Sequence, residues 1–179
     1  IFMSFAAVTF FNFFQERRSK QAIRHIFQHY LDPVVVRRLL EMPEQLRLGG
    51  ESRVCTVLFS DIAGFTSIAE RLSPEQLVEM MNLYLGAMTD IIIEHGGFVD
   101  KYIGDAIMAV FGAPAELPAH GQAACRCALV SHARLVRLSQ EMQERGLPVL
   151  RCRVGINTGP MVVGNMGSRK RMNYTAMGD

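Results

Sequence analysis

Two aspartates stand where strands run out. Asp61 closes the apolar run Val54-Cys55-Thr56-Val57-Leu58-Phe59-Ser60 and leads into Ile62-Ala63-Gly64-Phe65-Thr66. Asp105 ends Lys101-Tyr102-Ile103-Gly104-Asp105, between two strand-like runs. A hard divalent cation such as Mg²⁺ is held by one or two carboxylates together with substrate phosphates. Two such ions about 3.5–4 Å apart activate an attacking oxygen and steady a leaving one. The turn Ala63–Thr66 opens a helix, so its free N–H groups can face phosphate oxygens. These features together point to nucleotide chemistry. Each aspartate also has a plainer use: Asp61 as a cap of the following helix, Asp105 as a turn former.

The elements that would position them follow from pattern. Val54–Phe59 reads as a short strand, apolar enough to be buried on both faces, and residues 64–72 as a helical turn or two. Ser73-Pro74-Glu75-Gln76 starts a helix, with Ser as N-cap, Pro first and Gln at the capping-box position. That helix runs to His95, burying Leu77, Met80, Met81, Tyr84, Leu85, Met88, Ile91 and Ile92, and Gly96-Gly97 ends it. Phe98–Ile103 and Ala106–Phe111 are strands joined by Gly104-Asp105, a Gly-X turn that suits a type II′ hairpin and puts Asp105 at its tip. A loop over 112–119 leads to a helix over 121–145. Leu150–Asn157 and Met161–Asn165 are strands around Thr158-Gly159-Pro160, a basic loop covers Ser168–Arg171, and Met172–Met177 is a last short strand. The order predicts an α+β fold with helices packed on an antiparallel-rich sheet.

Composition agrees. The 179 residues are 49% hydrophobic, ample for a core. A net charge of +2, with no basic stretch interleaved with aromatics, gives no sign of nucleic-acid binding. Cys55, Cys125, Cys127 and Cys152 lack metal-site spacing and read as reduced thiols, three of them in the core. Ile1–Phe14 is almost wholly apolar, followed by Arg17, Arg18, Lys20 and Arg24. Alone it is shorter than the roughly 20 residues of a spanning helix, but the chain begins without Met. Apolar residues followed by basic ones fit the cytoplasmic end of a transmembrane helix; the other reading is a buried or dimer-forming helix. Residues 15–52 then form a helical connector, with Asp32-Pro33 restarting a helix and Leu46–Ser52 as a linker. The output domain starts at about Arg53.

Four motifs, in order, carry a family resemblance: Phe59–Thr66, Asp100–Asp105, Arg153-Val154-Gly155-Ile156-Asn157-Thr158-Gly159, and Tyr174-Thr175-Ala176-Met177-Gly178-Asp179. Together they resemble the class III nucleotidyl cyclase catalytic domain over 53–179. Phe27–Pro33 and Gly49-Gly50-Glu51 resemble the connector of bacterial membrane-bound cyclases, several of which carry a CHASE-type sensor. The resemblance implies a ferredoxin-like fold. It makes Asp61 and Asp105 the metal-binding carboxylates for two Mg²⁺ (or Mn²⁺), with the Ile62 carbonyl as a further ligand. Backbone N–H groups around Gly64, Phe65 and Thr66 would hold the β- and γ-phosphates, with Gly104 also among the substrate-binding positions. Arg153 matches an arginine near the triphosphate, and its plainer use is pairing with a local acid. Lys101 and Thr175 stand where the family reads adenine, and the physics agrees. An ammonium donates to adenine N1, and a hydroxyl accepts from the exocyclic amine, whereas guanine presents N1–H to the ammonium. ATP is therefore the expected substrate over GTP.

The family works as a head-to-tail dimer with shared sites. One copy would give Asp61 and Asp105, the other Lys101 and Thr175. The implied reaction is attack of the ribose 3′ oxygen on the α-phosphorus, with pyrophosphate leaving. In the family a helix bearing an Asn and an Arg follows the final Gly-Asp. The chain stops at Asp179, so this stretch is expected to be C-terminally truncated and nearly inactive alone. The expected location is the cell membrane, with the catalytic domain in the cytoplasm. Competing readings are a guanylate cyclase or a silent nucleotide-binding regulatory module of the same fold. A diguanylate cyclase does not fit, because Tyr102–Ile107 lacks a Gly-Gly-Asp-Glu-Phe hairpin. His25 and His29, one helical turn apart, read as a solvated face, and His120 and His132 have no partner visible in the sequence.

Overall fold

The capping box expected at Ser73 forms. Its Oγ accepts from the Gln76 N–H at 3.2 Å, and Gln76 Oε1 accepts from the Ser73 N–H at 3.1 Å. With Pro74 at the first helical position, this start is worth about 1 kcal/mol. The computed structural model describes residues 47–178. The apolar segment 1–14, the connector over 15–46 with His25 and His29, and Asp179 lie outside the described residues.

The elements are β1 (Gly49–Ile62), α1 (Phe65–Ala69), α2 (Pro74–Glu94), β2 (Gly97–Ile103), β3 (Ala106–Phe111), α3 (His120–Glu144), β4 (Cys152–Ser168) and β5 (Arg171–Met177). The strands lie in the order β2-β3-β1-β4-β5, every neighbouring pair antiparallel. Helices α2 and α3 pack on each other, α2 also on β2 and α3 on β1, β3 and β4. This is the expected α+β, ferredoxin-like arrangement. On β1 the residues Cys55, Thr56, Leu58, Ser60 and Ile62 are buried, while Val57 is half-buried and Phe59 exposed. The core joins Leu58 and Ile62 to Met80, Tyr84 and Met88 of α2 and to Leu135, Leu138 and Met142 of α3.

Three readings of the strands are corrected. β1 is not buried on both faces along its length, because the described helices cover only one; Phe59 is 46% exposed on the other. β1 also opens at Gly49, within the stretch read as linker, because Gly49–Ser52 pairs with Asn165–Val162 of β4. And β4 is one strand, not two. Pro160 does not break it, because this part of β4 pairs with β1 alone; β5 joins only from Val162. A proline costs no ladder bond where one side of a strand is open.

The β2–β3 hairpin turns as expected. Ile103 pairs with Ala106 and Gly104 has φ 65°, a left-handed value that an L-residue adopts only with strain. Upstream the register jumps: Val99 faces Ala109, yet Lys101 faces Met108, leaving Asp100 as the extra residue of a β-bulge. The sheet is strongly curved, since its outermost strands β2 and β5 meet. Phe98 and Tyr174 pack there as a tilted ring pair, centroids 5.8 Å apart and planes at 55°.

Candidate active site

The first group of site residues sits at the end of β1. The strand pairing places Asp61 opposite Arg153 of β4. Arg153 grips it in a fork, with Nε donating to Oδ1 at 3.0 Å and Nη2 to Oδ2 at 2.8 Å. Both side chains are open to solvent, at 41% and 70%. The hairpin tip is tied to the same place, because the Ile62 N–H donates to Asp105 Oδ2 at 2.9 Å. One hydrogen bond thus brings the second carboxylate to the residue after the first. Beneath them lies Tyr84, fully buried, its hydroxyl 3.4 Å from Ser60 Oγ. Burial above all pushes the Tyr84 phenol up to about 12, and the charges of Asp105 and Asp61 push the same way. Burial likewise raises the Cys152 thiol.

Gly64 follows with φ 73°, a left-handed step into α1, and no side chain caps that helix. The first N–H groups of a helix have no partner within it, so the Gly64-Phe65-Thr66 amides open where the sequence placed a phosphate.

The donor set suits a hard cation. Two carboxylates and the Ile62 carbonyl are all oxygen, as Mg²⁺ or Mn²⁺ prefers. Among the described residues no three His, Cys, Asp or Glu side chains come together as a complete cage. A cation here needs ligands from elsewhere, which is how Mg²⁺ sits among carboxylates and substrate phosphates. Arg153, expected at the triphosphate, here takes its plainer role as partner of Asp61.

The second group forms where β2 meets β5. Lys101 Nζ donates to Thr175 Oγ1 at 3.0 Å. Thr175 Oγ1 in turn donates to Asp100 Oδ2, which also accepts from the Ala176 N–H at 3.3 Å. Lys101 Nζ lies 3.4 Å from Asp100 Oδ1, whose side chain is only 1% exposed. Two residues far apart in sequence, read as one base-recognition pair, therefore touch. Asp100 was given no role from sequence. The available signal was an acid between Val99 and Lys101 in an otherwise apolar strand.

A family model described as the adenylate and guanylate cyclase catalytic domain matches residues 50–179. The chain belongs to that family. Adenylate cyclase 1 of Rhizobium meliloti is 36% identical over 165 residues, which is 90% of this chain and 24% of that protein. The adenylate cyclase of Anabaena cylindrica is 38% identical over 141 residues, covering 76% of this chain and 27% of that protein. The chain thus spans about a quarter of the length of these curated relatives. Among solved structures, the guanylyl cyclase Cya2 is 42% identical with a TM-score of 0.70, covering 73% of this chain and 66% of that one. The adenylyl cyclase CyaB from P. aeruginosa is 38% identical, also at 0.70, covering 73% and 68%. Cyclases named for either purine are thus similar to this chain, so overall identity does not choose the base.

Other features of the cyclase domain refine the histidine readings. His120 has a partner after all, since its Nδ1 lies 2.7 Å from Thr56 Oγ1, itself 2.7 Å from Thr158 Oγ1. His132 Nδ1 approaches Cys152 Sγ at 3.9 Å. His95 is the C-cap of α2, as expected at a helix C-terminus. Cys55, Cys127 and Cys152 are buried and Cys125 is exposed, all four as free thiols. Met80 and Met88 are core.

Proposed function

We propose that this domain converts ATP to 3′,5′-cyclic AMP and pyrophosphate. The observation that carries the proposal is the Ile62 N–H to Asp105 Oδ2 bond, which gathers both carboxylates at one strand end. Asp61, Asp105 and the Ile62 carbonyl would hold two Mg²⁺ (or Mn²⁺). Such ions, when bound, acidify the ribose 3′-hydroxyl and neutralise the leaving phosphates. The amides of Gly64, Phe65 and Thr66 receive the β- and γ-phosphate oxygens, and the Gly104 turn holds Asp105 over them. Arg153 leaves Asp61 for the triphosphate as nucleotide enters. The 3′ oxygen then attacks the α-phosphorus in line, and no protein nucleophile is required.

Lys101 and Thr175 would read the adenine, the ammonium at N1 and the hydroxyl at the amine. They would do so from a second copy of the chain, in a head-to-tail homodimer. Support for a partner comes from the sheet face that no helix among the described residues covers. It holds a concavity of about 770 Å³ whose wall includes Val57, Phe59, Met108, Met161 and Met177. Phe59 and Met177 are 46% and 61% exposed there. A second copy of the chain would cover these exposed apolar side chains. The proposal extends to a membrane-tethered protein with the domain in the cytoplasm, on the strength of the apolar 1–14 run and its basic flank. No helix among the described residues is long and apolar enough to cross a membrane.

The test is turnover of the full-length protein on ATP and on GTP with Mg²⁺ or Mn²⁺. Cyclic AMP formation, lost in Asp61→Ala and in Asp105→Ala, is expected. Tight ATP binding without cyclic AMP would point instead to a silent regulatory module, and cyclic GMP as the main product to a guanylate cyclase.

A further inference from the structure

The buried Asp100 was assigned nothing by the sequence, and its contacts bear on base choice. A hydroxyl has one proton and two lone pairs; an ionised carboxylate only accepts and an ammonium only donates. These limits leave Thr175 no freedom. Its proton goes to Asp100 Oδ2. A longer approach to the Ala176 carbonyl, 3.5 Å, is a weak rival for that proton. One lone pair takes the Lys101 Nζ proton at 3.0 Å. What remains to a ligand is a lone pair, never a proton.

Asp100 is held for this role by the backbone. It is the extra residue of the β2 bulge, which turns its carboxylate inward. Its Oδ2 is pinned by the Ala176 N–H, next in chain to Thr175. Its Oδ1 has no hydrogen-bond donor of its own, only the ammonium of Lys101 at 3.4 Å. A carboxylate 1% exposed and so incompletely paired is costly to keep unless it serves something.

We infer that Asp100 is a specificity-positioning residue: by taking the Thr175 proton it makes the hydroxyl a pure acceptor, which welcomes the 6-amino group of adenine and rejects the 6-oxygen of guanine. The inference rests on the purine-reading assignment of Lys101 and Thr175 proposed above. Asp100 does not touch the base and acts through Thr175.

The test compares kcat/KM for ATP and GTP in the full-length enzyme, a ratio insensitive to the amount of folded protein. Thr175→Val should lower the ATP:GTP ratio about tenfold, the worth of one recognition hydrogen bond. No change there would sink the purine-reading assignment itself. Asp100→Ala frees the hydroxyl to turn its proton outward, so the ratio should again fall about tenfold, and should fall no further when Asp100→Ala is added to Thr175→Val. A Thr175→Val shift with an unmoved Asp100→Ala ratio would overturn the inference alone. Asp100→Asn keeps a carbonyl on the Ala176 N–H and the Thr175 O–H, so its ratio should stay within about threefold of wild type. Collapse in Asp100→Asn would show that charge, not hydroxyl direction, sets the preference. Should Asp100→Ala not fold, base analogues answer on the native enzyme. Purine and 6-methoxypurine riboside triphosphates both keep N1, but the second puts an acceptor at position 6. Wild type should prefer the unsubstituted purine, and Thr175→Val should reduce that preference about fivefold by removing the opposed lone pair. An equal preference in both enzymes would overturn the inference.

Discussion

If each site draws its carboxylates from one copy and its base readers from another, two dead variants should revive each other. Asp61→Ala removes a cation ligand, and Lys101→Ala removes a base reader; each homodimer should lose about 100-fold or more in turnover for the first and about tenfold or more for the second. Equal mixing with free exchange gives about half heterodimers. Each heterodimer holds one site with Asp61, Asp105, Lys101 and Thr175 all intact, and one site lacking both altered residues. The mixture should therefore reach about a quarter of wild-type activity. The structure predicts that both variants fold. Asp61 and Arg153 are an exposed pair, so its loss costs under about 1 kcal/mol. Lys101 is 40% exposed, and its removal takes the counter-charge from the buried Asp100 but leaves the Thr175 and Ala176 hydrogen bonds, for about 3 kcal/mol. The assay is cyclic AMP formation by differently tagged variants, with heterodimers counted by tandem capture. Confirmed heterodimers with activity no higher than the better parent would refute shared sites.

Other outcomes follow from single residues. Arg153→Ala should cut turnover on ATP about 100-fold while moving Tm by less than about 4 °C, because its fork to Asp61 is solvent-exposed; a large Tm fall with intact turnover would make the arginine structural. Tyr84 is held protonated by burial up to about 12. Its contribution is whole below pH 10, the ordinary phenol value, and is lost as pH climbs from there toward 12, so Tyr84→Phe should lose roughly 2 kcal/mol less stability than wild type between pH 9 and 11.5. Thiol labelling at pH 7.5 should modify Cys125 first, since it alone among the four is exposed while burial raises Cys127 to about 11 and also raises Cys55 and Cys152; early labelling of Cys127 in native protein would contradict the packing of α3.

Local grammar made much of this fold readable. Ser73-Pro74-Glu75-Gln76 could do little but cap a helix, and Gly104-Asp105 between apolar runs could do little but turn a hairpin. Pattern fails where an answer depends on a neighbour. Pro160 looks like a break until β4 is seen to have one open side there. The apolar run of β1 looks doubly buried until Phe59 is found exposed on the face that the described helices leave open. The cyclase motifs exposed Asp61, Asp105, Lys101 and Thr175 because their types are distinctive. Asp100 and the His120–Thr56–Thr158 chain stayed hidden, since a bulge and a contact across 64 residues leave no periodic trace.

The pairing of β1 with β4 runs unbroken from Gly49 opposite Asn165 to Ile62 opposite Cys152. That is roughly 45 Å of two-stranded ribbon. One end receives the chain from residue 48, and the other ends in Asp61 and Arg153. Sliding one strand along the other would turn every side chain to the wrong face, so the ribbon does not yield by slipping. A torque applied at Gly49 can only twist or bend it, and either motion re-aims the Asp61–Arg153 fork at the far end. The strand that carries Asp61 is thus also a stiff lever: a twist imposed at Gly49 is carried to Asp61 along a ladder with no unpaired residue between them.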